Sequence, residues 1–142
     1  MCLMLYIGTA EELPPTSSPD MSIEDVDESR RAVTQWFSQP HVGFIGAHGS
    51  CSCGFPSVVA ESPIEYYEGM SIDSRDPADR RSVEALLQLL RQLVAHSGRV
   101  ELYPVWNGEE SLSPKGRVDW RLGALIPERF FFNERFMHFV RQ

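Results

Sequence analysis

Three cysteines and a histidine are the residues of this chain whose types and spacing suit chemistry. Cys51 and Cys53 stand two apart in the stretch GAHGSCSCGF, Gly46 to Phe55, and His48 stands three before the first. Thiolate sulfur and imidazole nitrogen together suit zinc, which takes four such donors at about 2.0–2.3 Å. An extended backbone turns residues i and i+2 to one side, so both sulfurs would face a common point. The fourth donor must come from elsewhere in the chain. Cys2 is the first candidate, because it is the only other cysteine; His41 and His138 are alternatives. The spacing departs from structural zinc sites, which set two to four residues between paired cysteines and use a second pair.

The same residues admit two other readings. A histidine beside a thiol raises its thiolate fraction, so Cys51 with His48 is the arrangement of a thiol nucleophile and its base. The nucleophile-elbow pattern is absent, since Cys53 stands where a glycine is needed, and no Asp or Asn is assigned to orient the histidine. The bland alternative is a tight structural loop. Cysteine is a small, often buried apolar residue, and Gly46, Gly49 and Gly54 allow backbone angles closed to other residues.

Composition excludes several functions. A net charge of -7 with scattered arginines leaves no basic stripe for phosphate contacts, so neither nucleic acid nor an anionic membrane surface is an expected partner. The apolar run at the start is too short to span a bilayer and lacks a preceding basic region, which points to a cytoplasmic protein. An odd cysteine count implies no disulfide framework. Glu61, Glu65, Glu68, Asp73 and Asp76, with Tyr66 and Tyr67 among them, read as a solvated acidic loop whose spacing does not match a calcium loop. The run RFFFNERFMHFV is dense in aromatics. Phe130, Phe131, Phe132, Phe136 and Phe139 form either a buried strand pair or the surface of an interaction module that dimerises. Asp119, Glu128 and Glu134 are acids with nothing to pair them at a reacting centre. No feature names a small-molecule ligand.

The elements that position these residues follow from periodicity. CLMLYIG is apolar on both faces and reads as a central strand, with Cys2, Met4 and Tyr6 on one side and Leu3, Leu5 and Ile7 on the other. A helix is expected from Asp27 to Ser38, ended by Pro40, and a strand over HVGFIG. A second helix starts at Pro77 behind the cap Asp76 and stops at Gly98, with Val83, Leu86, Leu87, Leu90, Leu93 and Val94 as its apolar stripe. Three more strands follow, and Pro104 marks the first as an edge or a bulge. The expectation is one compact domain over residues 1–142, α/β or α+β, with a mixed sheet of about five strands and two main helices.

The opening MCLMLYIGT, the loop HVGFIGAHGSCSCGF and the later VELYPVWNGEE together resemble a group of small uncharacterised bacterial proteins. That group combines an N-terminal Met-Cys with a His-x-x-Cys-x-Cys-Gly-Phe loop. Cys2, His48, Cys51, Cys53, Gly54 and Phe55 are the matching positions. The resemblance implies a single bacterial domain that carries this loop, and it brings no activity with it.

Overall fold

The apolar opening of the chain becomes the middle of a sheet. The computed structural model describes residues 2–58 and 76–142. Along them run β1 (Leu3–Thr9), β2 (Thr16–Ser17), β3 (Ser22–Asp25), a 3-10 helix (Glu28–Trp36), β4 (His41–Gly46), β5 (Ser57–Val58), α1 (Pro77–Ser97), β6 (Arg99–Trp106), β7 (Gly116–Arg121), β8 (Phe132–Asn133) and β9 (Phe136–Arg141), with short 3-10 turns between. Seven strands form one mixed sheet in the order β2-β3-β4-β1-β6-β9-β7, and β5 pairs with β8 separately. Neighbours in the large sheet are antiparallel except β7 and β9, which run parallel. The fold is α+β, with more strands than the five expected. The additional members of the large sheet, β2 and β3, are two and four residues long, too short to show an alternation. The acidic stretch from Glu61 to Asp73, with Tyr66 and Tyr67, lies outside the described residues.

Local chemistry sets the long helix. The Asp76 carboxylate accepts from the Ala78 amide at 2.9 Å, Pro77 opens the first turn, and Gly98 closes the last at φ 85° with its N–H on the Val94 carbonyl. Val83, Leu86, Leu87, Leu90 and Val94 are buried on one face of the sheet, against Leu5, Ile7, Ile45, Val100, Leu102 and Val140. The opposite face carries Met4, Tyr6, Phe44, Tyr103, Val105 and Met137, covered by Val33, Trp36 and Phe37.

The first helix is not α-helical. Glu28–Trp36 winds as a 3-10 helix capped by Asp27. A three-residue repeat sets Arg30, Val33 and Trp36 on one ridge. Val33 and Trp36 pack on the sheet, the Trp36 indole donating to the Glu110 carbonyl at 3.0 Å, while Arg30 approaches the Glu110 carboxylate at 3.9 Å. Thr34 and Gln35 spend their side-chain donors on carbonyls three residues back, which favours the tighter winding.

Pro104 does not mark an edge. It sits in β6, between β1 and β9. Its carbonyl accepts from the Arg135 amide on the β9 side, where the ladder has already ended at Leu102 opposite His138. The absent N–H therefore leaves no β9 partner unmet, and an interior strand tolerates the proline.

Candidate functional site: a thiol loop at one end of the sheet

Antiparallel pairing carries Cys2 to the glycine loop. Leu5 stands opposite Ile45, so the start of β1 and the end of β4 share one end of the sheet. Continued by two residues, that register would set Leu3 against Ala47. The chain turns away instead. Ser50 N–H donates to the Ala47 carbonyl at 3.2 Å, and Ala47 N–H to the Cys51 carbonyl at 2.8 Å. Gly49 and Ser50 take φ of 78° and 72° in this turn, a left-handed pair that glycine makes cheaply and serine does not.

The returning segment, Cys51 to Gly54, fills the vacated place beside β1 with side chains. Ser52 is fully buried; its Oγ accepts from the Leu5 amide at 2.9 Å and donates to the Ile45 carbonyl at 2.6 Å. The Leu3 amide is aimed at the Cys53 sulfur. Leu3 and Leu5 point their N–H groups to the same edge, as residues two apart in a strand must. Thus a hydroxyl replaces a carbonyl that β4 would have offered, and the Cys53 sulfur lies near the Leu3 amide at the head of β1.

All three cysteines meet there as free thiols. Cys2 and Cys53 are exposed and Cys51 is half-buried. Both other thiols influence that of Cys53. Partial burial pushes its thiol above the usual range, and the adjoining Cys51 and Cys2 thiols push the same way, against the Leu3 amide. Cys53 is accordingly protonated at neutral pH.

His48 is held by the helix. Its Nε2 lies 2.5 Å from Asp79 Oδ1, with the ring about one third exposed and the carboxylate mostly covered. A carboxylate only accepts, so Nε2 carries the proton and Nδ1 is left without a hydrogen bond among the described residues. Asp79 sits in the first turn of α1, where the helix dipole favours a negative charge. The His48 amide donates to Ser82 Oγ at 3.0 Å, and that hydroxyl donates to the Asp20 carbonyl at 2.7 Å. Gly54 makes room for the ring: a Cβ there would stand 2.8 Å from Ala47 Cβ and 3.0 Å from His48 Cδ2.

Two groups thus adjoin in this loop, a trio of thiols and an imidazole–carboxylate pair. No hydrogen bond among the described residues joins the imidazole to Cys51 or to either other thiol. No three His, Cys, Asp or Glu side chains among them are grouped so that they could hold a metal ion. The two alternative histidines lie elsewhere. His41 begins β4, so it stands roughly 15 Å or more from the loop. It lines a separate groove of about 530 Å³ with Glu12, Glu24, Asp25 and Arg31. His138 is fully buried in β9. Its Nε2 accepts from the Asn133 amide at 3.1 Å and its Nδ1 donates to the Phe136 carbonyl at 3.0 Å. Both nitrogens are used, and desolvation pushes the imidazole down to about 3.

The aromatic run is divided: Phe131, Phe136 and Phe139 are half-buried. Phe130 and Phe132 are buried with Trp120 against His138, and Arg117 lies 3.8 Å above the Phe139 ring. The exposed large apolar side chains among the described residues are Leu112 and Ile126. The single acids have structural partners: Arg117 for Asp119, Arg80 for Glu128, and the Trp106 indole for Glu134. No helix among the described residues is long and apolar enough to cross a membrane.

Ser52, Asp79 and Ser82 were not visible as site residues in the sequence. Asp79 carries the one available signal, an acid in the first turn of a well-capped helix. No protein family, no curated protein and no solved structure matches this chain.

Proposed function

We propose that Cys2, Cys51 and Cys53 bind a thiophilic transition metal ion such as zinc, with His48 as a fourth donor. The observation that carries this reading is the convergence of every cysteine in the chain on one sheet end, although Cys2 and Cys51 are far apart in sequence. Soft sulfur donors select zinc or monovalent copper over hard cations. Rotation about each Cα–Cβ bond moves a sulfur between staggered positions, which is the adjustment that closure around an ion requires. Metal-bound histidines commonly give their second ring nitrogen to a carboxylate, as His48 gives Nε2 to Asp79. The donor nitrogen would then be Nδ1.

Thiols ligate as thiolates, so binding must expel protons. The raised Cys53 thiol makes that expulsion costly at low pH, and affinity should climb as pH rises. Protein purified without chelator should carry about one equivalent of zinc. Cobalt substituted for it should produce thiolate-to-metal absorption in the near ultraviolet, lost in Cys53→Ser. Metal-free protein whose three thiols titrate normally, with no cobalt bands, would overturn the reading.

A further inference from the structure

We infer that β7 is the contact strand of a homodimer, in which two copies of it pair antiparallel about a two-fold axis through Val118. The inference is independent of the metal reading. β7 closes the large sheet on one side and β2 on the other. β2 is blunted in the ways that keep an edge from pairing: it is two residues long, behind Pro14 and Pro15 and ahead of Pro19. β7 has six residues, Gly116–Arg121, and no proline. Pairing across the sheet fixes which of its backbone groups are open. The Pro104 carbonyl faces β9, where it accepts from the Arg135 amide, so Leu102, two residues back, turns the same way. Leu102 stands opposite His138, so His138 and Val140 spend their backbone groups on β6, while Met137, Phe139 and Arg141 turn theirs to β7. In the parallel ladder Arg117, Asp119 and Arg121 stand beside those three. Parallel bonds run to the residues before and after, so Gly116, Val118 and Trp120 meet β9, and Arg117, Asp119 and Arg121 direct N–H and C=O outward. No hydrogen bond to those outer backbone groups is made among the described residues.

Charge selects a second copy as the occupant and sets the register. Residues directly opposite in an antiparallel pair share a face, and like charges there repel. Arg117, Asp119 and Arg121 are exposed on one face of β7, while Val118 and Trp120 are half-buried on the other, where Trp120 packs on the α1 side. An axis through Asp119 would oppose the two Asp119 carboxylates and set Arg117 against Arg121; one through Arg117 would oppose the two guanidinium groups. An axis through Val118 sets Arg117 of each copy opposite Asp119 of the other, so one strand complements itself. Within a copy Arg117 already holds Asp119 at 2.8 Å, and the joined strands would carry an alternating square of charge. An axis through Trp120 would oppose Asp119 and Arg121, but it runs the pairing into Leu122, where the strand has become a 3-10 turn, and Arg121 is held by the Gln142 carbonyl.

The test is sedimentation equilibrium of the full chain in chelator and reductant, which exclude metal and disulfide bridges between copies. The native chain should dimerise. Arg117→Asp and Asp119→Arg should each sediment as monomers, because each sets like charges opposite. Mixed one to one they should recover the dimer, since the acidic pair of one then faces the basic pair of the other, and recovery shows that both fold. Asp119→Pro should be monomeric with a native circular dichroism spectrum: its N–H is one of the open groups, so no bond to β9 is lost. A native chain that stays monomeric up to about 100 μM would overturn the inference and leave the edge to a strand of a different protein. So would a mixture of folded variants that fails to associate, or an Arg117→Asp variant that still dimerises, as pairing about Trp120 requires.

Discussion

His48 and His138 are both held by hydrogen bonds, yet they are opposite cases. His138 is enclosed by Trp120 at 4.5 Å and Phe132 at 5.3 Å, and backbone groups take both its nitrogens. His48 gives one nitrogen to Asp79, leaves the other without a hydrogen bond among the described residues, and faces water over a third of its side chain. A buried histidine that is fully satisfied is a packing residue that happens to contain nitrogen. A histidine fixed on one side alone retains capacity for chemistry. The same contrast divides the loop itself: Ser52 is consumed by two backbone bonds, while the thiols on either side of it remain available.

Removing His138 is the strongest way to probe that contrast. His138→Ala should destabilise the fold by about 3–5 kcal/mol, as loss of a buried ring does, read from urea unfolding. Its pH behaviour gives a second handle. The unfolded imidazole titrates near its ordinary 6.5 and the folded one is pushed down to about 3. Above 6.5 both states are neutral. Below it the unfolded chain takes up a proton that the folded chain does not, so stability should fall by about 1.4 kcal/mol per pH unit toward pH 3. His138→Phe should remove that contribution, and an unchanged slope would refute the assignment.

Ser52→Ala comes next. It leaves the Leu5 amide and the Ile45 carbonyl buried without partners, at about 2–4 kcal/mol for the two together. Equal stability to the native protein would mean that the hydroxyl is not the bridge between β1 and β4. Gly54→Ala is expected to cost about 1–3 kcal/mol by overpacking. Its sharper readout is the His48 ring, whose NMR shifts should move as the new methyl group displaces it from Asp79. The smallest effect belongs to Asp79→Asn, below about 1 kcal/mol, because the partner ring is partly exposed. If the metal reading holds, that variant should nevertheless weaken zinc binding roughly 10-fold or more, a separation of stability from function that His138 variants would not reproduce.

What could be read from the residues divides along range. The ends of α1 were legible because Asp76, Pro77 and Gly98 act on their own turn. β1 was legible because apolar residues on both faces demand cover on both faces. The approach of Cys2 to the loop was expected, and antiparallel pairing of β1 with β4 is its cause. A helix at Glu28–Trp36 was legible but its 3-10 winding was not, because α and 3-10 patterns coincide over so few apolar positions. Pro104 misled because its tolerance depends on where another strand ends. Asp79 was not legible as the partner of His48: the contact crosses from helix to loop, and only tertiary packing creates it. For Ser52 the sequence offered nothing, since a serine between two cysteines draws no attention beside them.

The substitution of side-chain acceptors for carbonyls along β1 furnishes a natural pair of gauges. The Leu5 amide rests on a serine oxygen, sealed from events at the surface. The Leu3 amide instead faces a sulfur, a weak acceptor whose electron density changes whenever that atom is ionised, metallated or oxidised. Deuterium uptake at Leu3, scaled to that at Leu5, would therefore track the chemical state of Cys53 from within the backbone, with no label attached.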